Sequence, residues 1–319
     1  MRYFVTGGTG FIGAYLVRDL LQAGHEVTIF ELAPQQEFLD EIVGDTGEAS
    51  IVRGDVTDLP ALLHAMKDAG AERVVHLASL LTDSSEENPL RAVRVNLEGT
   101  LHAFEAALAV GAQKVVWASS IAAFGRGPDE LGGTVRNDDY HAPVNLYGAS
   151  KAFLERCTAT YRRDRGLDVV GLRFTIVYGY GKSFTVQRGS AVTHLEELID
   201  KPALGQPGLV TNGDDVQDFS YVEDCARAIV LAAEAADTPS LALTVTGDDV
   251  RVGDVADVVR ELLPDARIEV RGDGPMRIRA GYDREGTERE IGFRPAWTLR
   301  EGLASTIGKL RARHGLPPI

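Results

Sequence analysis

Thiols are scarce in this chain of 319 residues: only Cys157 and Cys225, far apart. No CxxC pair and no Cys/His cluster exists, so neither a disulfide framework nor a zinc site is indicated, and no metal is expected. Both cysteines fall in apolar, helix-like stretches and read as inert core thiols. Basic residues are also in short supply, 33 Lys and Arg against 47 Asp and Glu, for a net charge of -14 and a pI near 5.0. That argues against a nucleic-acid partner, because phosphate backbones require clustered cations. The acidic surface says little about a substrate, and an anionic one would need local positive charge in its pocket. No apolar run reaches membrane-spanning length. Met1–Thr6 runs straight into a strand, without a basic leader and cleavage site, so no signal peptide is read and a cytoplasmic protein without membrane contact is expected. Internal repeats and low-complexity tracts are missing too. What is left is an ordinary globular composition, 44% hydrophobic and 25% charged, long enough for a cofactor domain with a smaller partner.

The first half alternates β-branched runs with helical patterns. Strands are expected at Arg2–Thr6, Glu26–Phe30, Ser50–Arg53, Arg73–Leu77, Lys114–Ala118 and Asp168–Arg173. Helices are expected at Phe11–Ala23, Leu59–Ala69, Pro89–Val110 and Leu146–Arg165. Continuous apolar strands alternating with helices predict an α/β fold with a Rossmann-like, doubly wound parallel sheet covered on both faces. The rhythm loosens after Thr175. Gly179–Gly189 and Pro202–Gly213 read as loops, Val192–Leu198, Val222–Ala235, Val252–Leu263 and Leu299–Ala312 as helices, and Ala242–Thr246 as a short strand. The expected division is a cofactor domain over residues 1–175, with 216–246 returning to it, and a smaller substrate-binding lobe made mainly of 176–319.

The first strand ends in Thr6-Gly7-Gly8-Thr9-Gly10-Phe11-Ile12-Gly13 and a helix follows. Glycines here permit a tight turn, close approach of backbone to a pyrophosphate and tight helix–strand packing, while the helix start offers N–H groups to phosphate. A glycine triplet alone also fits a structural turn; its place between strand and helix favours a dinucleotide. Glu31, at the end of the second strand, can accept from the adenosine ribose hydroxyls and would repel a 2′-phosphate. Leu32, Ala33, Pro34, Gln35 and Gln36 supply no cation, so NAD is expected over NADP; a solvated loop charge is the plain alternative for Glu31. Asp55 and Val56, after the third strand, suit an adenine amino group and ring face, with a loop N-cap as the alternative for Asp55.

Tyr147 and Lys151 stand four apart in Tyr147-Gly148-Ala149-Ser150-Lys151 and share one face of a helix. A nearby ammonium and an oxidised nicotinamide both favour a phenolate, and lowering a phenol by about three units takes roughly 4 kcal/mol. The phenolate can then take the proton of a substrate alcohol. An exposed Tyr/Lys pair is the bland alternative. Ser119 and Ser120 close the strand before it, at the carboxyl edge where ligands bind in such sheets.

Taken together, GGTGFIG, Glu31, His76–Ser79, Asn96–Thr100, ASSIAAFG, YGASK, Leu172-Arg173-Phe174 and Asp218–Asp224 resemble the extended short-chain dehydrogenases of the NAD-dependent epimerase/dehydratase family, along nearly the whole chain. The resemblance implies Ser120, Tyr147 and Lys151 as the catalytic set, with Tyr147 as acid/base. Lys151 would also hold the nicotinamide ribose. Gly7, Gly10, Phe11, Ile12, Gly13, Glu31, Asp55, Val56, Leu77, Ala78, Ser79, Asn96 and Tyr147 would line NAD, with Asn96 bracing the loops; His76 reads as structural. It implies a homodimer through Pro89–Val110 and Leu146–Arg165.

Departures from the family pattern bear on the substrate. Ile121 and Ala122 follow Ser120 where sugar dehydratases carry an acid. Ile176 and Gln217 replace the Asn and Arg that face a nucleotide diphosphate, and losing such a cation forgoes roughly 1.5–3 kcal/mol. Arg188, Arg277 and Arg279 are candidates to compensate, and Thr82, Ser84 and Lys182 are candidate substrate contacts. The expected function is hydride transfer between NAD and a secondary alcohol or ketone of a small, polar, sugar-like molecule. Two alternatives are an NAD-retaining sugar 4-epimerase and a non-catalytic NAD sensor.

Overall fold

The structure, a computed structural model, describes residues 1–125, 134–186, 190–272 and 281–319. Its strands in chain order are β1 (Arg2–Thr6), β2 (Glu26–Glu31), β3 (Ser50–Arg53), β4 (Arg73–His76), β5 (Lys114–Ser120), β6 (Val169–Phe174), β7 (Ile176–Tyr178), β8 (Gly208–Val210), β9 (Val216–Tyr221), β10 (Ala242–Val245), β11 (Asp248–Arg251) and β12 (Ile268–Val270). Seven form one sheet in the order β10-β6-β5-β4-β1-β2-β3, with every pairing parallel. This is the expected Rossmann-like sheet, its chain order reversing between β1 and β4.

Alternation along the strands feeds two cores. Val5, Ile29, Val75, Val116, Val170 and Leu172 enter one, against the helices Phe11–Gln22 and Val222–Glu234. Phe4, Phe30, Val74, Val115, Trp117 and Val169 enter the other, against Leu59–Asp68, Gly99–Val110 and Leu146–Arg165. The first core continues into the second half of the chain through Tyr178, Phe219, Val252 and Leu303. One core thus joins sheet and C-terminal lobe.

Pro89–Val110 was expected as one regular helix. It is three consecutive pieces, Pro89–Ala92, Val93–Glu98 and Gly99–Val110, and the middle one is π-helical. Such stretches are frequent at functional sites, and here Asn96 is the buried residue of the π stretch. The helix expected at Val192–Leu198 is Ser190–Leu195, continued by a π stretch at Glu196–Asp200. The two loop-rich segments hold helical turns at Lys182–Thr185 and Lys201–Ala203 and the strand β8.

Five strands, β7, β8, β9, β11 and β12, have no counterpart in the sequence pattern. β9 pairs with β7 in parallel and with β11 antiparallel, forming a three-stranded sheet. β11 is Asp248-Asp249-Val250-Arg251, too polar to show strand alternation. After β9, Val222–Glu234 packs on the first face of the main sheet and β10 enters that sheet beside β6. Cys225 is buried as expected, but Cys157 is only half-buried, on a flank of its helix.

Candidate active site

Backbone geometry makes the glycine turn. Gly7 has φ 73°, and a Cβ there would stand 2.9 Å from the Ala78 nitrogen. A Cβ on Gly13 would stand 2.3 Å from the Gly7 carbonyl oxygen. Any side chain at Gly13 would push the helix off the turn. Phe11–Gln22 starts from Gly10 with no side-chain cap and no acidic residue in its first turn. Its start therefore presents N–H groups and a partial positive charge to an anion, as a dinucleotide pyrophosphate requires. Phe11 is buried and Ile12 half-buried behind that turn.

Glu31 ends β2 half-buried, its carboxylate accepting from the backbone N–H of Leu32 at 3.0 Å and of Ala33 at 3.4 Å, and from the Thr9 hydroxyl at 3.4 Å. Burial pushes its pKa up and those donors pull it back. Asp55 accepts from Thr57 N–H at 2.9 Å, while the cap of the helix Leu59–Asp68 is Asp58, through Ala61 N–H at 3.0 Å. The loop-cap alternative for Asp55 therefore falls to its neighbour. Val56 is buried.

Residues 77–79 lie against the glycine turn: Leu77 N–H donates to the Thr6 carbonyl at 3.0 Å and Ala78 N–H to the Thr6 hydroxyl at 3.3 Å. Asn96 holds the far side of this loop. Its Oδ1 accepts from Leu80 N–H at 2.7 Å and from the Ser79 hydroxyl at 3.1 Å, and its Nδ2 donates to the Leu80 carbonyl at 2.9 Å. His76 is buried between the Thr6 and Thr100 hydroxyls, at 2.8 and 3.0 Å, and burial followed by the Lys151 charge pushes its pKa down to about 3.

The helix Leu146–Arg165 begins at Asn145, whose side chain accepts from Gly148 N–H at 2.7 Å. Tyr147, in its first turn, hydrogen-bonds through its phenol to Ser120 at the end of β5. One turn on, Lys151 is buried, its Nζ donating to the Ala118 carbonyl at 2.7 Å and the Ser79 hydroxyl at 3.2 Å. That Nζ lies 5.2 Å from the centre of the Tyr147 ring. Ser120, Tyr147, Lys151, Ser79 and Asn96 are thus one connected cluster beside the glycine turn. Burial pushes Tyr147 up to about 12, with the Ser120 bond opposing. Burial pushes Lys151 itself down to about 7, opposed by Glu155.

Glu155, Arg173 and His141 lie outside the set expected from sequence. Glu155 is buried one turn after Lys151; it accepts from Ser119 at 2.6 Å and from Arg173 Nε and Nη2 at 2.8 and 2.7 Å, with His141 at 3.1 Å. These donors hold its carboxyl down to about 2 against the effect of burial. The signal was available: Arg173 is the one charged residue of the wholly buried strand β6, and a charge placed there requires a partner.

The candidate substrate residues come from several elements. Thr82 and Ser84 are half-buried at the helix Thr82–Glu87. Ile176 is half-buried on β7, and its register partner on β9 is Phe219, two residues after the buried Gln217. Lys182 turns inward: its Nζ donates to the Val177 carbonyl at 2.5 Å, and burial pushes its pKa down to about 8. Arg188, Arg277 and Arg279 lie outside the described residues.

A parallel sheet with an uncapped glycine turn, and a Ser/Tyr/Lys cluster at the same carboxyl edge, defines an NAD-dependent short-chain dehydrogenase/reductase of the extended kind. Residues 3–247 match the NAD dependent epimerase/dehydratase family, and the chain belongs to that family. Its chemistry is enzymatic and its cofactor is NAD. The chain is 30% identical over 322 residues to a UDP-glucose 4-epimerase of Azospirillum brasilense, covering 95% of this chain and 89% of that one. The structure of a Thermus thermophilus UDP-glucose 4-epimerase complexed with NAD superposes with a TM-score of 0.82 at 28% identity, covering 98% and 99% of the two chains. A 2-alkyl-3-oxoalkanoate reductase of Stenotrophomonas maltophilia is 30% identical over 243 residues, 74% of this chain and 66% of the reductase.

Proposed function

We propose that this enzyme oxidises and re-reduces a secondary alcohol carbon of a sugar unit while keeping its NAD, as a sugar 4-epimerase does. The observation that carries the reading is the position of Lys151 Nζ, buried beneath the Tyr147 ring and bonded to the Ser79 loop that borders the glycine turn. In this reading Gly7, Gly10, Phe11, Ile12 and Gly13 hold the pyrophosphate, Glu31 the adenosine ribose, Asp55 and Val56 the adenine, and Leu77, Ala78, Ser79 and Asn96 the inner wall. Bound NAD supplies the hydride acceptor. Ser120 and Tyr147 hold the substrate hydroxyl between them, and Tyr147 takes its proton and later returns it. Lys151 adds positive charge that favours the phenolate and orients the nicotinamide ribose. No carboxylate follows Ser120, where Ile121 and Ala122 stand, so nothing there serves an elimination of water.

Residues 1–175 with the returning segment 216–246 form the cofactor domain in this reading, and the rest of 176–319 the substrate lobe. A homodimer through Pro89–Val110 and Leu146–Arg165 belongs to the same proposal; Leu90, Val93 and Phe153 on those helices are exposed, and a partner helix pair would bury them. So does a cytoplasmic location. Among the described residues no helix is long and apolar enough to cross a membrane.

The test is to free the purified protein of small molecules and incubate it with UDP-glucose. UDP-galactose formed without added NAD supports the reading; a strict need for added NAD with matching NADH contradicts it. A second reading, net dehydrogenation or reduction of a substrate without a diphosphate, is favoured by the uncharged Ile176 and Gln217 and by the similarity to the oxoalkanoate reductase. It predicts stoichiometric NADH turnover instead.

A further inference from the structure

The segment 179–186 leaves β7 and runs along the flank of the glycine turn. Its first residue packs on the helix that the turn opens: a Cβ on Gly179 would stand 3.5 Å from the Phe11 ring. The Tyr180 carbonyl accepts from the Tyr15 hydroxyl at 3.0 Å on that same helix. At its far end the Thr185 carbonyl accepts from Gln35 Nε2 at 3.0 Å, and Gln35 N–H in turn donates to the Thr9 hydroxyl at 3.1 Å, inside the glycine turn. The strap is therefore joined to both ends of the region that the proposed NAD site spans, from the first helical turn to the end of β2.

What holds the strap down comes from the far end of the chain. Arg313, the last residue of the helix Leu299–Arg313, lies with its guanidinium 4.7 Å from the centre of the Phe184 ring and donates to the Tyr180 hydroxyl at 3.2 Å. The same guanidinium pairs with Glu37 at 3.0 Å and with Glu41, which also accepts from the Tyr180 hydroxyl. Both acids belong to the helix Gln36–Val43 that follows Gln35. One side chain thus clasps the strap to the helix beside the adenosine end of the site. A charge-assisted, aromatic-stacked contact of this kind is stronger than a lone surface pair. Opening the flank requires breaking several bonds together.

We propose that Arg313 is a positioning residue that sets how long NAD stays bound, by latching residues 179–186 against the side of the cofactor site. The proposal rests on the reading of the glycine turn as the NAD site and deepens it: retention through many turnovers becomes a property of a contact remote from the reacting atoms. The test uses NAD-loaded full-length enzyme, diluted into a scavenging dehydrogenase that traps released NAD. Arg313→Gln is expected to release NAD about 10-fold faster, Arg313→Lys to fall between it and the parent, and turnover at saturating NAD to stay unchanged. Arg311→Ala is the control, because Arg311, on the same helix as Arg313, bonds the Ala203 and Pro317 carbonyls, away from the strap. Gln35→Leu cuts the strap at its other end and is expected to act in the same direction; it carries the test if Arg313→Gln fails to fold. Release rates equal to the parent in Arg313→Gln, or in Gln35→Leu, overturn the latch. A parent protein that binds no NAD overturns the glycine-turn reading and the latch with it. A parent that binds NAD with unchanged release in the variants overturns the latch alone.

Discussion

Beside β5, the buried carboxylate of Glu155 is gripped by Ser119, Arg173 and His141. On β9, Gln217 Oε1 is just as buried and has no hydrogen-bond partner among the described residues, and Asp218 Oδ2 has only an ion pair with Arg284 at 3.8 Å. An unsatisfied buried acceptor costs about 1–3 kcal/mol, so the two regions have been built to different ends. The β5 side is complete: strand ends, Lys151 and the start of the Tyr147 helix are fixed by short bonds. The β9 side carries one buried acceptor, Gln217 Oε1, that is left unmatched among the described residues, beside an Asp218 held by longer contacts. Burial, opposed by the Gly247 N–H and Thr175 hydroxyl bonds, pushes Asp218 up to about 6. A rigid reaction centre beside a less satisfied small sheet is how one fold keeps a reaction and varies its substrate.

The contrast can be broken from either side. The largest effect is expected at Glu155→Gln, which leaves the Arg173 guanidinium buried without its counter-charge. A loss of about 3–5 kcal/mol is expected by denaturant unfolding, and a loss under 1 kcal/mol would mean that the knot does not fix β5. The parent should also lose stability as pH falls from about 4.5 toward 2, because the folded carboxyl is held at about 2 while the unfolded one protonates earlier. Lys151→Met tests the next element. The folded ammonium sits near 7 and the unfolded one near 10.5, so the unfolded chain binds more protons between those values and apo-protein stability should rise with pH across them. The variant should be flatter over that window by a few kcal/mol; an identical slope would place the titration elsewhere.

At the adenosine end, Glu31→Ser is expected to move the NAD/NADP preference toward NADP by about 10- to 100-fold, read as the ratio of binding constants. An unmoved ratio would detach Glu31 from the ribose. The smallest effect falls on the β9 side. Gln217→Met removes an unmatched acceptor at similar volume, so melting should be unchanged or raised by up to about 1 kcal/mol, with KM raised and kcat preserved. A destabilisation of several kcal/mol would show that Gln217 is structurally satisfied after all.

The division between the regions also marks what could be read from the chain. Tyr147 and Lys151 announce themselves because four residues make one helical turn, and the glycine turn because only glycine fits where a Cβ would meet backbone. The strands of the main sheet are legible because each carries a run of apolar, often β-branched residues. β11, with a single apolar residue among four, is made a strand by pairing with β9 and not by its own pattern. Asn96 was read from resemblance, yet the π stretch that aims it depends on packing that no periodicity encodes. The Glu155 knot joins residues from a loop, a helix and a strand; Arg173, in an apolar strand, signals that a partner is needed, but no local pattern names Glu155 or His141 as that partner. Arg313 lies too far along the chain from Glu41 for any local pattern to link them.

The central claim is that the Tyr147 phenol moves the proton while Lys151 and the glycine turn hold NAD beside it. The most direct measurement is the turnover of Tyr147→Phe alongside its bound NAD, using UDP-glucose as substrate. The account predicts a fall in kcat of about 100- to 10,000-fold with NAD content equal to the parent. Turnover within a few-fold of the parent, at equal NAD content, would contradict it.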